Sequence, residues 1–569
     1  MRHSAFALLL TIVAVIACSG PAQPGADVLP ATPLPTEAAA PSPAPEPPFK
    51  PLFKDEFFED ASDALDFHRL GISSGGDMFA GAAWLDYDND GWLDLYLTNT
   101  KGADNALFRN NGDGTFTDVA RQTGVANGDG SGSATAADIN NDGCADLFVN
   151  GTGGVQQTAM SGPKLYVNNC DGTFNEVIAA SGIQGIEAPM GAAFGDINND
   201  GLLDLYVVTR LNVRSSSRAT TAGATLDHLY LNRGDRTFRN ISRDAGLTHT
   251  SAGCSVAFVD YNDDQLQDLL VGSCSFGAAI FELYRNNGDM TFTDVATEAG
   301  INVVVPPSTS PELSMRTNMG FADYNGDGYE DLFSTGWGRP PVGPYGDMFK
   351  NSLFRKASSG SFVEISQAAG IRDTQYSARS WGAAFQDLNN DGHADIFLVS
   401  GLAIEDVQVQ TGSGYLIKGN GDGRFEVAAT YDFSGPGVNG LAAADYDNDG
   451  YVDIVVGSSE AYLKGGRPVL MHNTGSGKSW VTVKAVGMSS NKSGVGAAVT
   501  VRGGGKAWAG TVRAGGAFHS SHSPWLTFGL GDIETVDIEV RWPSGLAEVF
   551  EGLAARRTVE LVEGTGKAQ

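Results

Sequence analysis

The 569-residue chain is poor in cysteine, histidine and basic residues. It has five cysteines, eight histidines and 37 lysine and arginine residues against 67 aspartate and glutamate residues, for a formal net charge of −30. So acidic a chain lacks the basic face that nucleic-acid binding requires, which excludes nucleic acid as a partner. It also lacks a zinc-protease HExxH pattern, a phosphate-binding GxxxxGKS/T loop and a redox CxxC pair. The sequence therefore favours a protein that is not an enzyme.

What the chain has in abundance is a nine-residue acidic pattern that recurs seven times, at spacings of 52 to 64 residues. A repeat of this period predicts seven structural units. The copies read DYDNDGWLD, DINNDGCAD, DINNDGLLD, DYNDDQLQD, DYNGDGYED, DLNNDGHAD and DYDNDGYVD, and they begin at Asp86, Asp138, Asp196, Asp260, Asp323, Asp387 and Asp445. The fourth copy departs from the others because Gln265 replaces the glycine. Apolar, strand-like residues flank each copy, so we interpret it as a loop between two β-strands.

Oxygen-bearing side chains at alternate positions, with a glycine that permits a sharp turn, can surround one hard cation. Calcium takes about six to eight oxygen ligands and tolerates irregular geometry, so we predict up to seven Ca²⁺ ions. The alternative is that Asp and Asn serve only as turn formers, although crowded carboxylates would then repel one another. The predicted ligands at loop positions one, three, five and nine are Asp86, Asp88, Asp90, Asp94, Asp138, Asn140, Asp142, Asp146, Asp196, Asn198, Asp200, Asp204, Asp260, Asn262, Asp264, Asp268, Asp323, Asn325, Asp327, Asp331, Asp387, Asn389, Asp391, Asp395, Asp445, Asp447, Asp449 and Asp453.

A second motif follows each loop by about thirty residues: an apolar strand, usually ending in Asn, then a Gly/Asp turn into Thr-Phe, as in LFRNNGDGTF from Leu107. One unit thus holds four antiparallel strands, and seven such units predict an all-β chain with a seven-bladed β-propeller. The two motifs resemble the FG-GAP/VCBS-type propeller repeats, and the resemblance covers residues 50–473. We expect residues near 55 to 62 to supply the missing fourth strand of the last blade, the alternative being a simple N-terminal arm.

Residues 474–569 have a different composition, with alternating apolar residues and glycine turns that predict a small β-sandwich-like domain. Three segments, Ser490–Ala497, Phe528–Gly531 and Arg541–Gly545, are similar to the ASPIC/UnbV domain. Propeller repeats followed by this domain resemble bacterial members of the cartilage acidic protein family. The resemblance implies the architecture more firmly than a biochemical role.

The first 17 residues have the basic start and apolar run of an export signal, and Val15-Ile16-Ala17-Cys18 resembles a lipobox. We therefore expect Cys18 to be lipidated, the alternative being an ordinary secretory signal. Residues 18–49 are rich in proline and alanine and predict an extended linker. These segments predict a lipid-anchored, extracytoplasmic protein on a bacterial membrane, favouring the outer membrane or cell surface, with the lipid as its only membrane contact.

The other four cysteines fall into two pairs that an exported protein would oxidise. Cys144 in the second loop and Cys170 in the turn of the same unit form one predicted disulfide. Cys254 and Cys274, at equal distances before and after the fourth loop, form the other. The alternative is four free buried thiols, because connectivity does not follow from sequence alone.

We interpret the protein as a non-catalytic binding or adhesion module for an extracellular protein or polysaccharide. The competing interpretation is a cell-envelope enzyme with its site in the propeller channel or between the domains, because propellers host both functions. Trp337 and Trp381 could stack on sugars, but core packing is the more common role for such residues. His519 and His522 could hold zinc, but their spacing on a strand would turn the rings to opposite faces.

Overall fold

The computed structural model describes residues 55–65, 81–99, 102–151, 161–187, 189–209, 227–247, 253–273, 281–301, 314–338, 350–371, 380–400, 412–433, 438–458 and 468–569. The predicted signal segment, Cys18, the linker 18–49 and Cys274 lie outside these ranges, as does the side chain of Trp337. Within the ranges, no helix is long and apolar enough to cross a membrane.

Seven antiparallel sheets, numbered 1 to 7 in chain order, lie between residues 55 and 473. Each has a predicted cation loop between its two innermost strands. Strand β1 is Phe58–Asp60 and belongs to sheet 7. Sheet 1 has β2 Ala82–Leu85, β3 Asp94–Leu97, β4 Ala106–Asn110 and β5 Phe116–Asp118, and sheet 2 has β6 Ser131–Ala137, β7 Asp146–Gly151, β8 Lys164–Asn168 and β9 Phe174–Glu176. Sheet 3 has β10 Pro189–Gly195, β11 Asp204–Thr209, β12 His228–Asn232 and β13 Phe238–Asn240, and sheet 4 has β14 Gly253–Val259, β15 Asp268–Ser273, β16 Phe281–Asn286 and β17 Phe292–Asp294. Sheet 5 has β18 Ser314–Ala322, β19 Asp331–Gly338, β20 Ser352–Lys356 and β21 Phe362–Glu364; sheet 6 has β22 Ser380–Gln386, β23 Asp395–Ser400, β24 Ser413–Gly419 and β25 Phe425–Asp432; and sheet 7 has, besides β1, β26 Val438–Ala444, β27 Asp453–Ser458 and β28 Val469–Asn473. Among the described residues, the helices are a four-residue α1, Ala120–Thr123, and a 3₁₀ turn, Ser62–Ala64.

The sheets form a closed cycle. The innermost strands, listed in order around the cycle, are β2, β6, β10, β14, β18, β22 and β26. Each contacts the next, and β26 of sheet 7 contacts β2 of sheet 1. Strand β1 pairs antiparallel with β28, with Phe58 opposite Asn473. This pairing confirms that residues near 55 to 62 complete the last sheet, and it covers an edge that would otherwise be exposed. A cycle of four-stranded sheets is the arrangement of a β-propeller.

Residues 479–569 form a second, two-sheet β-structure. Its strands are β29 Ser479–Val486, β30 Ala498–Gly503, β31 Lys506–Thr511, β32 Ala514–Gly515, β33 Leu526–Gly531, β34 Thr535–Arg541, β35 Ala547–Ala554, β36 Arg557–Val562 and β37 Lys567–Ala568. One sheet has the order β33-β29-β36 and the other β31-β30-β34-β35-β37. Trp542 is buried, and its Nε1 donates a hydrogen bond to Glu548 at 2.8 Å.

The second domain inserts a segment, residues 513–525, into the middle of the ring; we call it the central segment. Strand β32 within it pairs with β10, so sheet 3 gains a fifth strand at its inner edge. The Ser521 N–H donates to the carbonyl of Ala82 in sheet 1, at 2.8 Å. The Ser523 N–H donates to the carbonyl of Ala443 in sheet 7, at 2.9 Å. Because these acceptors lie on the innermost strands of different sheets, the central segment spans the ring's centre.

Aromatic packing fixes the central segment on the opposite side of the ring. The Phe518 ring is fully buried and stacks on Trp381 of sheet 6, with 5.3 Å between ring centroids. The Phe518 N–H donates to the side chain of Asn318 in sheet 5 at 2.8 Å. Trp381 is therefore a core residue, 2% exposed, and it offers no face to a sugar.

Of the two histidines of the central segment, His519 is buried and His522 is partly buried. His522 Nδ1 accepts a hydrogen bond from the Ala443 N–H at 3.0 Å, and burial lowers the pKa of His522 to about 4. His519 is 2% exposed, and its ring packs edge-on against Phe518. Both histidines thus serve to pack the central segment.

Candidate metal centres

Each acidic loop turns sharply because two of its residues adopt left-handed backbone conformations. In loop 1 these are Asn89, with φ of 57°, and Gly91, with φ of 86°. Asparagine and glycine enter this region most readily, which explains the recurring NDG tripeptide. In loop 4, Gln265 adopts φ of 69° at the glycine position. Loop 4 therefore keeps the common shape at a backbone cost of about 1–2 kcal/mol.

The first aspartate of a loop folds back onto the loop's own backbone. In loop 1 the Asp86 carboxylate accepts from the N–H groups of Asp90 and Gly91, at 3.1 and 3.2 Å. The same pair of bonds recurs in loops 2 to 6. In loop 7, Asp445 accepts from Gly450 alone, and its buried Oδ1 has no hydrogen-bond partner.

The ninth residue of every loop is a buried aspartate that ties the loop to the third strand. In sheet 1, Asp94 is 0% exposed, and its two oxygens accept from the N–H groups of Tyr87 at 3.0 Å and Asn110 at 2.8 Å. The second of these bonds recurs in the other six sheets. Each carboxylate oxygen has a second lone pair, so these bonds leave acceptor capacity for a cation.

Sequence reasoning missed a role for the asparagine that ends the third strand. The Asn110 side chain donates to the Tyr446 carbonyl in the loop of the preceding sheet, at 2.8 Å. Equivalent bonds join neighbouring sheets through Asn168, Asn232, Asn286 and Asn473. In sheet 5, Lys356 replaces this asparagine, and its Nζ donates to the carbonyl of Asp260 in loop 4 at 3.1 Å. The recurring Asn was visible in the sequence, where we read it only as a turn residue.

Burial raises the pKa of the loop carboxylates. It raises the pKa of Asp94 to about 8, and the neighbouring Asp88 and Asp86 add to the effect. In loop 7, burial and then the charges of Asp453 and the other loop aspartates raise the pKa of Asp445 to about 9. Such loops hold their charged form only when a positive charge compensates them.

Several loops have a basic side chain beside them. Arg109 Nε donates to Asp88 Oδ2 at 2.8 Å in sheet 1, and Lys418 Nζ lies 2.9 Å from Asp391 in sheet 6. In sheet 7 the neighbour is His472, and Asp453 raises its pKa to about 9. These side chains neutralise part of the loop charge and leave most of it uncompensated.

The loop side chains fit a hard cation. Carboxylate oxygens of three residues converge to within 4.8 Å of one another in loops 1, 4 and 7. In these groups, Asp88 Oδ1 and Asp445 Oδ1 are buried without a hydrogen-bond partner. In loops 2, 3, 4 and 5 the third position is an asparagine whose amide donates to the fifth-position aspartate. The predicted ligands of loops 1, 4 and 7 thus lie together, as a cation would require.

The second domain lies directly on the loops. Its Trp508 Nε1 donates to the carbonyl of Gly392 in loop 6 at 3.0 Å, and its Lys492 N–H donates to Asn141 in loop 2 at 2.6 Å. Gly450 of loop 7 lies so close to the indole of Trp480 that a Cβ atom there would be 1.8 Å away. The loop end of the ring is therefore an interface within the chain.

A partly buried ion pair strengthens this interface at loop 5. Arg513 donates through both terminal nitrogens to Glu330, at 2.8 and 2.6 Å, and Thr511 Oγ1 adds a third bond at 2.6 Å. Burial raises the pKa of Glu330, but Arg513 more than offsets it, so the pKa is lowered overall. Glu330 therefore stays ionised at neutral pH.

One predicted disulfide is present in the described residues. Cys144 in loop 2 is bonded to Cys170 in the turn between β8 and β9, with 5.7 Å between their Cα atoms. Cys254 is also disulfide-bonded, and its predicted partner Cys274 lies outside the described residues. The first disulfide joins the two turns of sheet 2, as predicted.

We predict that the metal-free protein loses stability as pH rises. Burial raises the pKa of Asp94, Asp146 and Asp268 to about 8, against 3.8 when unfolded. The folded state then binds more protons between these values, so the stability that these three carboxyl groups contribute is greatest below about pH 4 and is lost progressively up to about pH 8. In excess chelator, the melting temperature should be lower at pH 8 than at pH 5, and calcium should remove the difference.

Two variants locate this effect in the loops. Asp94→Asn should flatten the pH dependence measured in chelator, because the side chain can no longer ionise. Asp113→Asn, in an exposed hairpin turn, should leave it unchanged. Equal melting temperatures at pH 5 and pH 8 in chelator would contradict the prediction.

Comparison with known proteins agrees with this architecture. A model described as FG-GAP-like repeat matches residues 86–149, 155–207, 260–334, 323–398 and 404–456, more than half of the chain. A model described as FG-GAP repeat matches residues 437–482, and one described as ASPIC and UnbV matches residues 487–568.

Three relatives are cartilage acidic protein 1 from mouse, human and Xenopus tropicalis. The mouse and human proteins are 24% identical over 499 residues, covering 82% of this chain and 70% and 69% of theirs. The Xenopus protein is 23% identical over 494 residues, covering 82% of this chain and 70% of its own. A solved structure on recognition of non-reducing terminal N-acetylglucosamine by an Agrocybe aegerita lectin aligns over 63% of this chain and 81% of its own, at 18% identity and a TM-score of 0.33, too low to support an argument. On the family models, the chain belongs to the FG-GAP-repeat proteins with a C-terminal ASPIC/UnbV domain, and it is homologous to cartilage acidic protein 1.

Proposed function

We propose that this protein is an exported, calcium-stabilised seven-bladed propeller that binds an extracellular protein or polysaccharide without catalysis. Its FG-GAP repeats and ASPIC/UnbV domain make it an extracellular-type module. In this proposal the N-terminal lipid on Cys18 holds the module at a bacterial surface through the linker 18–49, and the loops bind calcium.

One observation carries the non-catalytic part of the proposal. The central segment crosses the middle of the ring and hydrogen-bonds to the inner strands of sheets 1, 3, 5 and 7. A propeller enzyme would place its substrate where the chain's own backbone now lies. The sides of the sheets and the outer face of the second domain remain for a macromolecular ligand.

The interface between the domains offers little to the competing enzymatic interpretation. A cavity of about 160 Å³ lies there, lined among others by Phe385, Trp525, His522 and the Arg513–Glu330 pair. The two charged groups bind each other, and the pKa of His522, lowered to about 4 by burial, leaves it a weak base at neutral pH. The groups best placed for acid–base chemistry are thus engaged in packing the central segment.

In the proposal, calcium supplies positive charge that the loop carboxylates lack. The first-position aspartate holds the loop's turn. In the proposal, the third-position residue and the fifth-position aspartate supply oxygen ligands, and the ninth-position aspartate connects the site to the third strand. Because the second domain rests on the same loops, neutralising them also steadies the domain interface.

The proposal is tested by binding the purified protein to panels of extracellular-matrix proteins and of bacterial and host polysaccharides. We expect saturable binding to one of these classes in calcium, weakened at least tenfold by a chelator, with the ligand recovered chemically unchanged. Magnesium in place of calcium serves as the control for divalent charge alone. Modification of the ligand on incubation, or no binding to either panel in calcium, would contradict the proposal.

A further inference from the structure

Loop 7 has a histidine, His472, on the third strand of its sheet, β28, whereas the histidine of loop 6, His393, lies within the loop itself. His472 immediately precedes Asn473, whose N–H donates to Asp453 at 2.7 Å. Arg109 immediately precedes Asn110, which makes the same bond to Asp94 in sheet 1. The residues at this position in the seven sheets are Arg109, Val167, Leu231, Arg285, Arg355, Lys418 and His472. Of these side chains, imidazole is the one that readily gives up a proton and then donates a nitrogen lone pair to a metal.

The imidazole nitrogen lies among the loop carboxylates at ligand-to-ligand distances. His472 Nδ1 is 3.3 Å from Asp453 Oδ1 and 3.6 Å from Asp447 Oδ2. Ligand atoms of Asp447, Asp449 and His472 lie within 4.8 Å of one another, as do those of Asp445, Asp447 and Asp453. Two donors held at about 2.0–2.2 Å from one metal are themselves about 3.0–3.6 Å apart. The two groups share Asp447, and the spacing of His472, Asp447 and Asp453 suits a small metal ion between them, with Asp445 beside it.

A second, independent observation points to a ligand at this centre. Asp445 is 4% exposed, and its Oδ1 is buried without a hydrogen-bond partner. In loops 1 to 6 the equivalent carboxylate accepts from two loop N–H groups, whereas in loop 7 the Asp449 N–H donates to Asp447 Oδ1 at 3.3 Å instead. A buried carboxylate oxygen without a donor is costly unless a cation or proton satisfies it.

Loop 1 shows why the four carboxylates alone do not explain the arrangement. It too has aspartate at all four ligand positions, but Arg109 donates to Asp88 at 2.8 Å and approaches Asp90 at 3.3 Å. A guanidinium stays protonated and can only neutralise the loop. In loop 7 the corresponding side chain, His472, has a ring nitrogen 3.3 Å from Asp453 and 3.6 Å from Asp447, and such a nitrogen can serve as a metal ligand.

We propose that loop 7 and His472 form a mixed carboxylate–imidazole site that selects a divalent first-row transition metal such as Zn²⁺. Its ligands are His472 Nδ1, Asp445 Oδ1, Asp447 and Asp453. Imidazole with carboxylates favours zinc and its neighbours, whereas calcium takes oxygen ligands only. The inference rests on the proposed metal binding at loop 7 and requires no calcium at the other six loops.

The test uses the purified protein in excess calcium, titrated with Zn²⁺ by calorimetry and with Co²⁺ as a spectroscopic substitute. We expect one high-affinity Zn²⁺ per chain. We also expect the Co²⁺ protein to show a paramagnetically shifted imidazole N–H proton resonance, which only a histidine bound to the metal produces. The matched variant is His472→Arg, which copies sheet 1 and keeps a basic side chain but removes the nitrogen donor. It should bind Zn²⁺ at least tenfold more weakly and lose the shifted resonance.

A gain-of-site variant keeps the test decisive should His472→Arg fold poorly. Arg109→His gives loop 1 the same donors as loop 7 and should add a second equivalent of Zn²⁺. Zn²⁺ binding that is equal in the wild type and His472→Arg, or no shifted imidazole resonance in the Co²⁺ wild type, would overturn the inference. If calcium stabilises the protein but no His472-dependent Zn²⁺ site is found, this inference fails and the proposed function is unaffected. A His472-dependent zinc site without any calcium effect would contradict the calcium proposal alone.

Discussion

Removing calcium is expected to lower the melting temperature of the protein by about 15–20 °C. A ligand that binds only the folded state stabilises it by about 2.7 kcal/mol per site when its free concentration is about 100 times Kd. Six or seven such sites act on one cooperative ring, whose unfolding entropy at about 2.1 cal/mol/K per residue converts the total into this shift. The measurement is thermal unfolding in calcium and in chelator, together with a count of bound metal, expected at about six or seven ions.

Magnesium is the matched control for this experiment. It requires near-octahedral geometry and sheds its water reluctantly, so an irregular loop should bind it weakly. We therefore expect magnesium to restore only a small part of the shift. If the melting temperature is the same in calcium and in chelator and no metal is bound, the acidic loops are turns and not metal sites. The enzymatic interpretation would then be the one to test.

The substitution Gly450→Ala is expected to release the second domain from loop 7. Gly450 has φ of 85°, and a Cβ atom there would lie 1.8 Å from the ring of Trp480. The indole is 7% exposed, so we expect this overlap to destabilise the interface by more than the usual overpacking cost of about 1–3 kcal/mol. Hydrogen exchange in β29 and β33, followed in excess calcium, should rise toward that of a detached domain.

Gly91→Ala is the matched control for this variant. Gly91 occupies the same position of loop 1 with φ of 86°, but a Cβ atom there would meet nothing within 4 Å. Both variants carry the same left-handed backbone cost of about 1–2 kcal/mol, so their difference isolates the contact with Trp480. We expect a difference of about 3 kcal/mol or more in unfolding free energy. Equal losses in the two variants would show that this contact does not hold the domain.

The two predictions are linked because the loops serve the ring and the domain interface together. Trp508, Lys492 and Arg513 of the second domain bind backbone or side chains of loops 6, 2 and 5. A change in loop shape therefore alters the surface on which the second domain rests. We therefore expect chelation to loosen the contacts between the second domain and the loops before the ring itself unfolds.

Much of the ring could be read from the sequence because its determinants are local. The loop turns by backbone conformations that Asn and Gly adopt within nine residues. The likeness of residues 57–62 to the segment from Phe292 was enough to predict that β1 completes sheet 7. The Cys144–Cys170 disulfide likewise followed from two turns placed at one end of the same sheet.

Other features left no local trace. Asn110 was recognised as part of a turn, yet its amide reaches the loop of a sheet more than 300 residues away in sequence. From the sequence, Trp381 could either stack on a sugar or pack in the core, and the adjacent residues do not distinguish the two roles. Its burial against Phe518 follows only from where the second domain places that ring.

The sequence by itself determined the repeat, the loop chemistry and the boundary between two β-structures, because each depends on residue types at fixed short spacings. The tertiary structure alone decided that residues 513–525 cross the ring and that the second domain rests on the acidic loops. These contacts join surfaces that are far apart in the chain, and they are selected by shape and by satisfying buried polar groups once both parts have folded. The same physics decides which donor stands beside each loop, and so why His472 approaches one of them.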